Sequence, residues 1–394
     1  MVLQSSEETT VSDISPQVQF HGRWDLTGED RYISHWCGSS LCFQTTSRSI
    51  TVELGGLTVS RSNFHNVLWR FGSQSVTRTA LVKGKRSMKF TALSDAAESG
   101  GGEKLRDVTI MLCDWGAKLQ ILDIKTTDGR AILAPAVASS PRPMLFIGDS
   151  LVSGFTPLYR GLVLPHGSYQ SFGSIAVRTL RAHGLDARLE MVAYPGICLK
   201  TVDSPAVIST QAETDMDWKG DEVYWKGMED VFWDGMIGKG GWEERSRDTP
   251  HDIFICVGTN DQGWGGDKNE FVEHYAAFLI RLRDSYPSEL QRIHVISPFG
   301  AFNDPSDPLA RKPVIEPAVQ HMVEQLAKSW AEANPNGTKL YHISTEGWIH
   351  KGLTCDGVHP TSEGHEVIGT KLIEYMDSLG LAGVPGIHYT GSIP

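Results

Sequence analysis

The proline-rich segment LAPAVASSPRP (133–143) separates two stretches of chain whose apolar residues recur with different periods. Its three prolines and small residues disfavour regular structure, so it reads as an interdomain linker. Upstream, residues 17–135 carry short alternating or apolar runs (SLCFQTT, SITVELG, LTVSRS, NVLWRFG, VTIMLCDW, KLQILDIKT) between Gly, Ser, Asn and Asp clusters. That is the pattern of an all-β sandwich, and a jelly-roll-like module fits it best. ESGGGEK (98–104) reads as a loop between two of its strands.

Downstream the pattern changes. MLFIG (144–148), LEMVAY (189–194), IFICVG (253–258), IHVIS (293–297) and KLYHIS (339–344) are apolar runs of strand length, read as buried parallel strands. Longer amphipathic stretches between them predict helices near 168–184, 269–285, 314–333 and 362–379; Phe271, Tyr275, Phe278, Leu279 and Leu282 form one stripe of the second. Such alternation implies an α/β domain whose site lies beyond the C-terminal ends of the strands. The expected organisation is a flexible N-terminus (1–16), a β-sandwich (17–135), a linker (136–143), an α/β domain (144–382) and a tail (383–394). A chain of 394 residues exceeds what one core usually supports, in keeping with two domains.

Composition excludes several classes. The net charge of -11 is spread without a basic block, which argues against nucleic acid as a partner. No apolar run reaches the roughly 18 to 20 residues of a membrane span, and MVLQSSEETTVSDISPQ has neither the basic nor the apolar region of a signal peptide. The expectation is a cytoplasmic protein, with a secreted form whose signal has been removed as the alternative; the sequon Asn336-Gly337-Thr338 matters only in the latter. The six cysteines lack CxxC spacing and Cys256 sits inside IFICV, so they read as mostly reduced and buried. Neither HExxH nor clustered His/Asp spacing occurs, so no metal or other cofactor is expected, and the acidic stretch ETDMDWKGDE reads as a solvated face.

Three short motifs follow predicted strands. Gly148-Asp149-Ser150-Leu151 puts a serine at the end of the first parallel strand, where it needs a base to become a nucleophile. Gly258-Thr259-Asn260-Asp261 follows the third, and Asn260 could aim an amide at a developing oxyanion; an Asx-turn is the plainer explanation of that motif alone. Asp356-Gly357-Val358-His359-Pro360 precedes the last helix, with Asp356 placed to fix the tautomer of His359 and Thr361 or Ser362 as N-cap. Each motif alone is an ordinary turn.

In order, and with Tyr194-Pro195-Gly196 after the second strand, these blocks resemble those of the GDSL/SGNH hydrolase family over about residues 141–382. The resemblance implies a three-layer αβα domain with a five-stranded parallel sheet in flavodoxin-like order. It further implies Ser150 as nucleophile, His359 as base and acid, and Asp356 as the orienting carboxylate. Oxyanion donors would be the backbone N–H of Ser150 and Gly196 with the Asn260 amide, although YPGICLK replaces the family's commoner Asn-x-Gly.

Gly22-Arg23, Trp36-Cys37-Gly38-Ser39 and Phe43 resemble the sandwich that precedes the hydrolase domain in carbohydrate esterase family 2. That family removes acetyl groups from sugar hydroxyls, so the implied substrate is acetylated carbohydrate such as xylan, glucomannan or oligosaccharide. Bacterial members can replace the acidic residue by a backbone carbonyl; with Asp356 present, a full triad is expected here. Of 11 tryptophans, four (218, 225, 233, 242) lie in the insertion between the second and third blocks, and Trp264 and Trp348 are candidate sugar platforms, core packing being the alternative. Competing readings are an acyltransferase, thioesterase or lipase acting on a small acyl ester at the same site, and a glycan-binding protein with a vestigial hydrolase domain.

Overall fold

The computed structural model of the protein describes residues 14, 16–26, 32–58, 66–82, 84–93, 104–135, 142–155, 164–201, 227–234, 249–263, 267–302 and 315–381. Towards the N-terminus a pair of antiparallel sheets face each other. One contains β1 (Gln19–His21), β3 (Ser40–Thr45), β5 (Asn66–Phe71), β6 (Thr77–Ala80), β8 (Arg106–Leu112) and β10 (Ile132–Leu133); the other runs β2 (Ile33–Ser34), β9 (Leu119–Thr126), β4 (Ser49–Leu54), β7 (Ser87–Thr91). Period-two alternation explains the pairing. SLCFQT and SITVEL bury every second residue, so Leu41 and Phe43 meet Ile50, Val52 and Leu54 across the sandwich with Val108, Ile110, Phe90 and Ile121.

Several strands of this sandwich go beyond the apolar runs. TRTA and SMKFT became β6 and β7 because they pair with β5 and β4; β7 buries only Met88 and Phe90, too few apolar residues to announce a strand. The expected strand LTVSRS is corrected at its start, where Leu57 and Thr58 lie outside any strand and Thr58 donates to Gly55 in a turn; residues 59–62 lie outside the described residues. So does most of the expected loop 98–104.

The C-terminal half contains β11 (Arg142–Gly148), β12 (Ala187–Ala193), β13 (Asp252–Cys256), β14 (Arg292–Ile296) and β15 (Lys339–Ile343) as a parallel sheet in the order β12-β11-β13-β14-β15. Counted within the domain that is 2-1-3-4-5, the flavodoxin-like order. Successive residues of β11 serve opposite layers. Leu145 and Ile147 pack with α3 (Met228–Asp234), α5 (Lys268–Ser285) and α6 (Glu316–Ala333), whereas Met144 and Phe146 pack with α1 (Ser150–Ser153), α2 (Phe172–Ala182) and α7 (Ser362–Ser378). With α4 (Thr259–Gly263) at the strand ends, the result is a three-layer αβα domain.

Of the expected linker 136–143, residues 136–141 lie outside the described residues, and Arg142 and Pro143 are corrected to strand. Arg142 is drawn into β11 because its guanidinium meets Asp252, the first residue of β13, at 2.9 Å. Asp252 is fully buried and also receives Arg292 at 2.5 Å and His294 at 3.4 Å. Burial opposes its charge, but these partners hold its carboxyl well below the usual range. This hub lies at the N-terminal edge of the sheet, away from the strand ends where the motifs gather.

The sandwich and the αβα domain share a buried seam. Arg23 is buried, donating from Nε to Glu190 of β12 and from Nη1 to the Phe232 carbonyl, both at 3.0 Å, and its guanidinium lies 4.3 Å from the Phe232 ring centroid. Trp36 belongs to one apolar layer of the αβα domain and Cys37 to the other, where Cys37 Sγ sits 3.5 Å from Met191 Sδ. The Gly22-Arg23 and Trp36-Cys37-Gly38-Ser39 elements are thus seam residues. All six cysteines are thiols, and Cys37, Cys113, Cys198 and Cys256 are buried.

Candidate active site

At Gly148 strand β11 passes so close to its neighbours that a Cβ would stand 2.2 Å from Val152 and 2.6 Å from the Cys256 carbonyl. Only glycine lets the chain turn there without displacing β13. Asp149 then caps α1, its Oδ1 accepting the Leu151 N–H at 2.9 Å, and Ser150 follows as a buried residue.

His359 arrives from the loop before α7. Its Nε2 lies 2.9 Å from Ser150 Oγ, and its Nδ1 lies 2.7 Å from Asp356 Oδ2. Asp356 Oδ1 accepts the N–H groups of Val358 and His359, which fixes the carboxylate while the other oxygen holds the ring. Burial alone would raise the Asp356 pKa, but the hydrogen bond and charge of His359 and these amides bring it down to about 2. An ionised carboxylate only accepts, so Nδ1 carries the ring proton and Nε2 is left to accept the Ser150 hydroxyl proton. Thr361, the expected alternative to Ser362, is the N-cap of α7.

The loops after β12 and β13 complete the edge. Tyr194 donates to the Gly148 carbonyl at 3.1 Å, seating the Tyr194-Pro195-Gly196 turn beside Ser150, and Gly196 has φ 80°, where a side chain would strain the backbone. Asn260 Nδ2 donates to the Ile197 carbonyl at 2.8 Å and stands 3.5 Å from Asp149 Oδ2. The second contact is at the outer limit of a hydrogen bond. Ser150, Gly196, Asn260, Asp356 and His359 are therefore brought to one edge.

Two carboxyls that the motif reading passed over hold this edge together. Asp261 accepts the Leu199 N–H with both oxygens, at 2.9 and 3.1 Å, and Asp149 links the Ser150 turn to Asn260. Burial raises Asp149 to about 6 and Asp261 to about 7. A raised acid binds more protons folded than unfolded, so ionising Asp261 weakens the fold as pH rises from about 4 to about 7. Asp261→Asn keeps an acceptor for Leu199 without the titration. Its melting temperature should therefore fall less than the wild type's between pH 5 and pH 8; equal declines in paired thermal melts would refute the assignment.

Aromatic contacts were equally invisible to motif reading. The Phe155 ring meets His359 edge-on at 5.3 Å, and Trp115, from the sandwich loop between β8 and β9, meets Phe155 at 5.7 Å and Tyr194 at 5.2 Å. Trp115 lies far upstream of Ser150 and reaches its surroundings across the seam between the two domains. Trp264 lies outside the described residues, as do Trp218, Trp225 and Trp242 of the insertion and its acidic stretch. Trp348 is half-buried against the apolar layer of α2 and α7, and Trp233 is buried beneath Arg281. Both pack against apolar or aromatic neighbours. Among the described residues no group of three His, Cys, Asp or Glu side chains could hold a metal ion, and no helix is long and apolar enough to cross a membrane.

A hydrogen-bonded Ser–His–Asp line at the C-terminal edge of a 2-1-3-4-5 sheet, flanked by an asparagine amide, is the arrangement of a serine-type carboxylic ester hydrolase. Residues 146–367, more than half of the chain, match the GDSL-like lipase/acylhydrolase family, and the chain belongs to it. No curated protein matches the sequence. Among solved structures it is similar to a family two carbohydrate esterase from Clostridium thermocellum in complex with cellohexaose (18% identity, 92% of this chain and 99% of that one, TM-score 0.62). It is also similar to an acetyl xylan esterase from the rumen bacterium Butyrivibrio proteoclasticus (16%, 96% and 100%, 0.61). A salicylyl-acyltransferase from a tetracycline biosynthetic pathway is alike to the same degree (15%, 94% and 97%, 0.61). At these identities the likeness concerns the fold, sandwich and αβα domain together.

Proposed function

We propose that this esterase removes acetyl groups from carbohydrate, with Ser150 as nucleophile, His359 as general base and acid, and Asp356 as the carboxylate that orients it. The observation that carries the reading is the two-domain architecture, matched almost end to end in an acetyl xylan esterase and in a carbohydrate esterase with a bound cellohexaose.

In the proposed reaction Ser150 Oγ attacks the ester carbonyl as His359 Nε2 takes its proton. The tetrahedral oxyanion is met by the N–H groups of Ser150 and Gly196 and by Asn260 Nδ2; such donors contribute about 3–4 kcal/mol each. Collapse expels the sugar hydroxyl, protonated by His359, and leaves an acetyl ester on Ser150. Water, deprotonated by the same imidazole, then attacks that ester and releases acetate.

Hydrolysis of acetyl, butyryl and octanoyl nitrophenyl esters, together with mass analysis of acetylated xylo-oligosaccharides, tests the substrate class. The acetyl ester should lead in kcat/KM by about tenfold or more, and the oligosaccharides should lose acetate. Preference for the longer chains would overturn the reading. The likeness to an acyltransferase favours a second use of the same acyl-enzyme, transfer to an alcohol in place of water. An acylated acceptor accumulating faster than free acetate would establish that alternative.

A further inference from the structure

From the aromatic chain that crosses the domain seam we infer that Trp115, a residue of the N-terminal sandwich, is a positioning residue for His359, so that the sandwich completes the esterase site. The inference rests on the assignment of His359 as the base.

An imidazole hydrogen-bonded at one edge still rocks about its side-chain torsions, which are broad for a ring on a tetrahedral carbon. Asp356 fixes the Nδ1 edge of His359. The ring itself is met by Phe155, at 5.3 Å and 70°, and Phe155 is tied to the nucleophile's own turn, its N–H donating to the Ser150 carbonyl at 3.0 Å. Phe155 follows the left-handed Gly154 at the end of α1 and is only half-buried, so its ring needs a backstop. Trp115 provides one, meeting Phe155 at 69° and, on its other contact, Tyr194 at 81°. It thereby spans from the support of the base to the turn that carries Gly196.

The Trp115 loop is itself anchored. The Cys113 carbonyl accepts the Ser168 N–H of the αβα domain at 3.0 Å, the Cys113 thiol donates to the Asn66 carbonyl, and Asp114 accepts the Asn66 N–H. Trp115 packs against both apolar layers of the αβα domain. A residue so held transmits the position of the sandwich to the imidazole, and displacement of a catalytic group by about 1 Å can cost on the order of a hundredfold in rate.

The test compares Trp115→Ala, Trp115→Leu, Trp115→Phe, Phe155→Leu and the Trp115→Leu/Phe155→Leu double variant on p-nitrophenyl acetate, with fluorophosphonate inactivation rates and melting temperatures alongside. Trp115→Leu, which keeps apolar bulk, should lower kcat by about 10- to 100-fold and slow inactivation in parallel while KM moves less than about threefold. Trp115→Phe should recover kcat to within about threefold of wild type, and the double variant should be no slower than the slower single, because the two rings act in series. If Trp115→Ala does not fold, the leucine and phenylalanine variants decide. A folded Trp115→Leu with wild-type kcat, a rise in KM at constant kcat, or multiplicative effects in the double variant would overturn the inference. A wild-type protein that neither hydrolyses the ester nor reacts with the fluorophosphonate would instead refute the assigned site.

Discussion

Asp356→Asn should lower kcat for an acetyl ester by about four orders of magnitude while leaving the melting temperature near that of the wild type. Asparagine can still accept the Val358 and His359 N–H groups that now reach Asp356 Oδ1, so the loop survives. What changes is the atom facing Nδ1 of His359, which becomes an amide donor. The imidazole must then place its proton on Nε2, facing Ser150 Oγ at 2.9 Å, and can no longer accept the hydroxyl proton. Steady-state kinetics on p-nitrophenyl acetate measure this directly. A fall of less than threefold would remove Asp356 from the mechanism and leave the histidine held by something else.

The second large effect concerns stability. Asp252→Ala removes the carboxylate on which Arg142, Arg292 and His294 converge and leaves two largely buried guanidinium groups without it. Breaking a buried charge pair from one side costs about 3–5 kcal/mol, enough to shift a denaturant midpoint well beyond error. Because the pKa of Asp252 is lowered by folding, its contribution is complete above about pH 4 and is lost only progressively as pH falls from there through the lowered folded-state pKa. Urea unfolding at pH 7 and at pH 3 should therefore show a modestly smaller difference between wild type and variant at the lower pH, because Asp252 is still ionised in the fold at pH 3. The variant that remains folded should keep wild-type kcat, since the hub lies at the opposite edge of the sheet from Ser150.

Much of this was legible in the chain because local chemistry and global position agreed. Buried parallel strands must be apolar on both faces, so IFICV and IHVIS announce themselves, and a catalytic turn needs glycine, serine and a histidine loop at strand ends. Gly196 could be placed despite its unusual Tyr-Pro-Gly block because the turn follows β12, and its φ of 80° explains the glycine without reference to any other sequence. What stayed hidden depends on distant pairing. TRTA and SMKFT carry little apolar signal and become strands only through their partners. Asp149 and Asp261 look like turn residues until the fold removes water from them. Trp115 has no motif around it, and no period in the sequence links the sandwich loop to the histidine it reaches.

The seam through Arg23, Glu190, Trp36 and Cys37 bears on how such an enzyme can be rebuilt. A module joined only by a tether can be cut off, transplanted or exchanged for a paralogue with little penalty to either half. Here an arginine of one half neutralises a glutamate buried in the other, and a tryptophan of the sandwich fills space inside the hydrolase's own apolar layer. A truncation to the αβα half would expose that layer and strand Glu190, yielding an insoluble product instead of a minimal catalyst. Chimeras should therefore be cut within surface loops that leave both sides of the seam from the same parent.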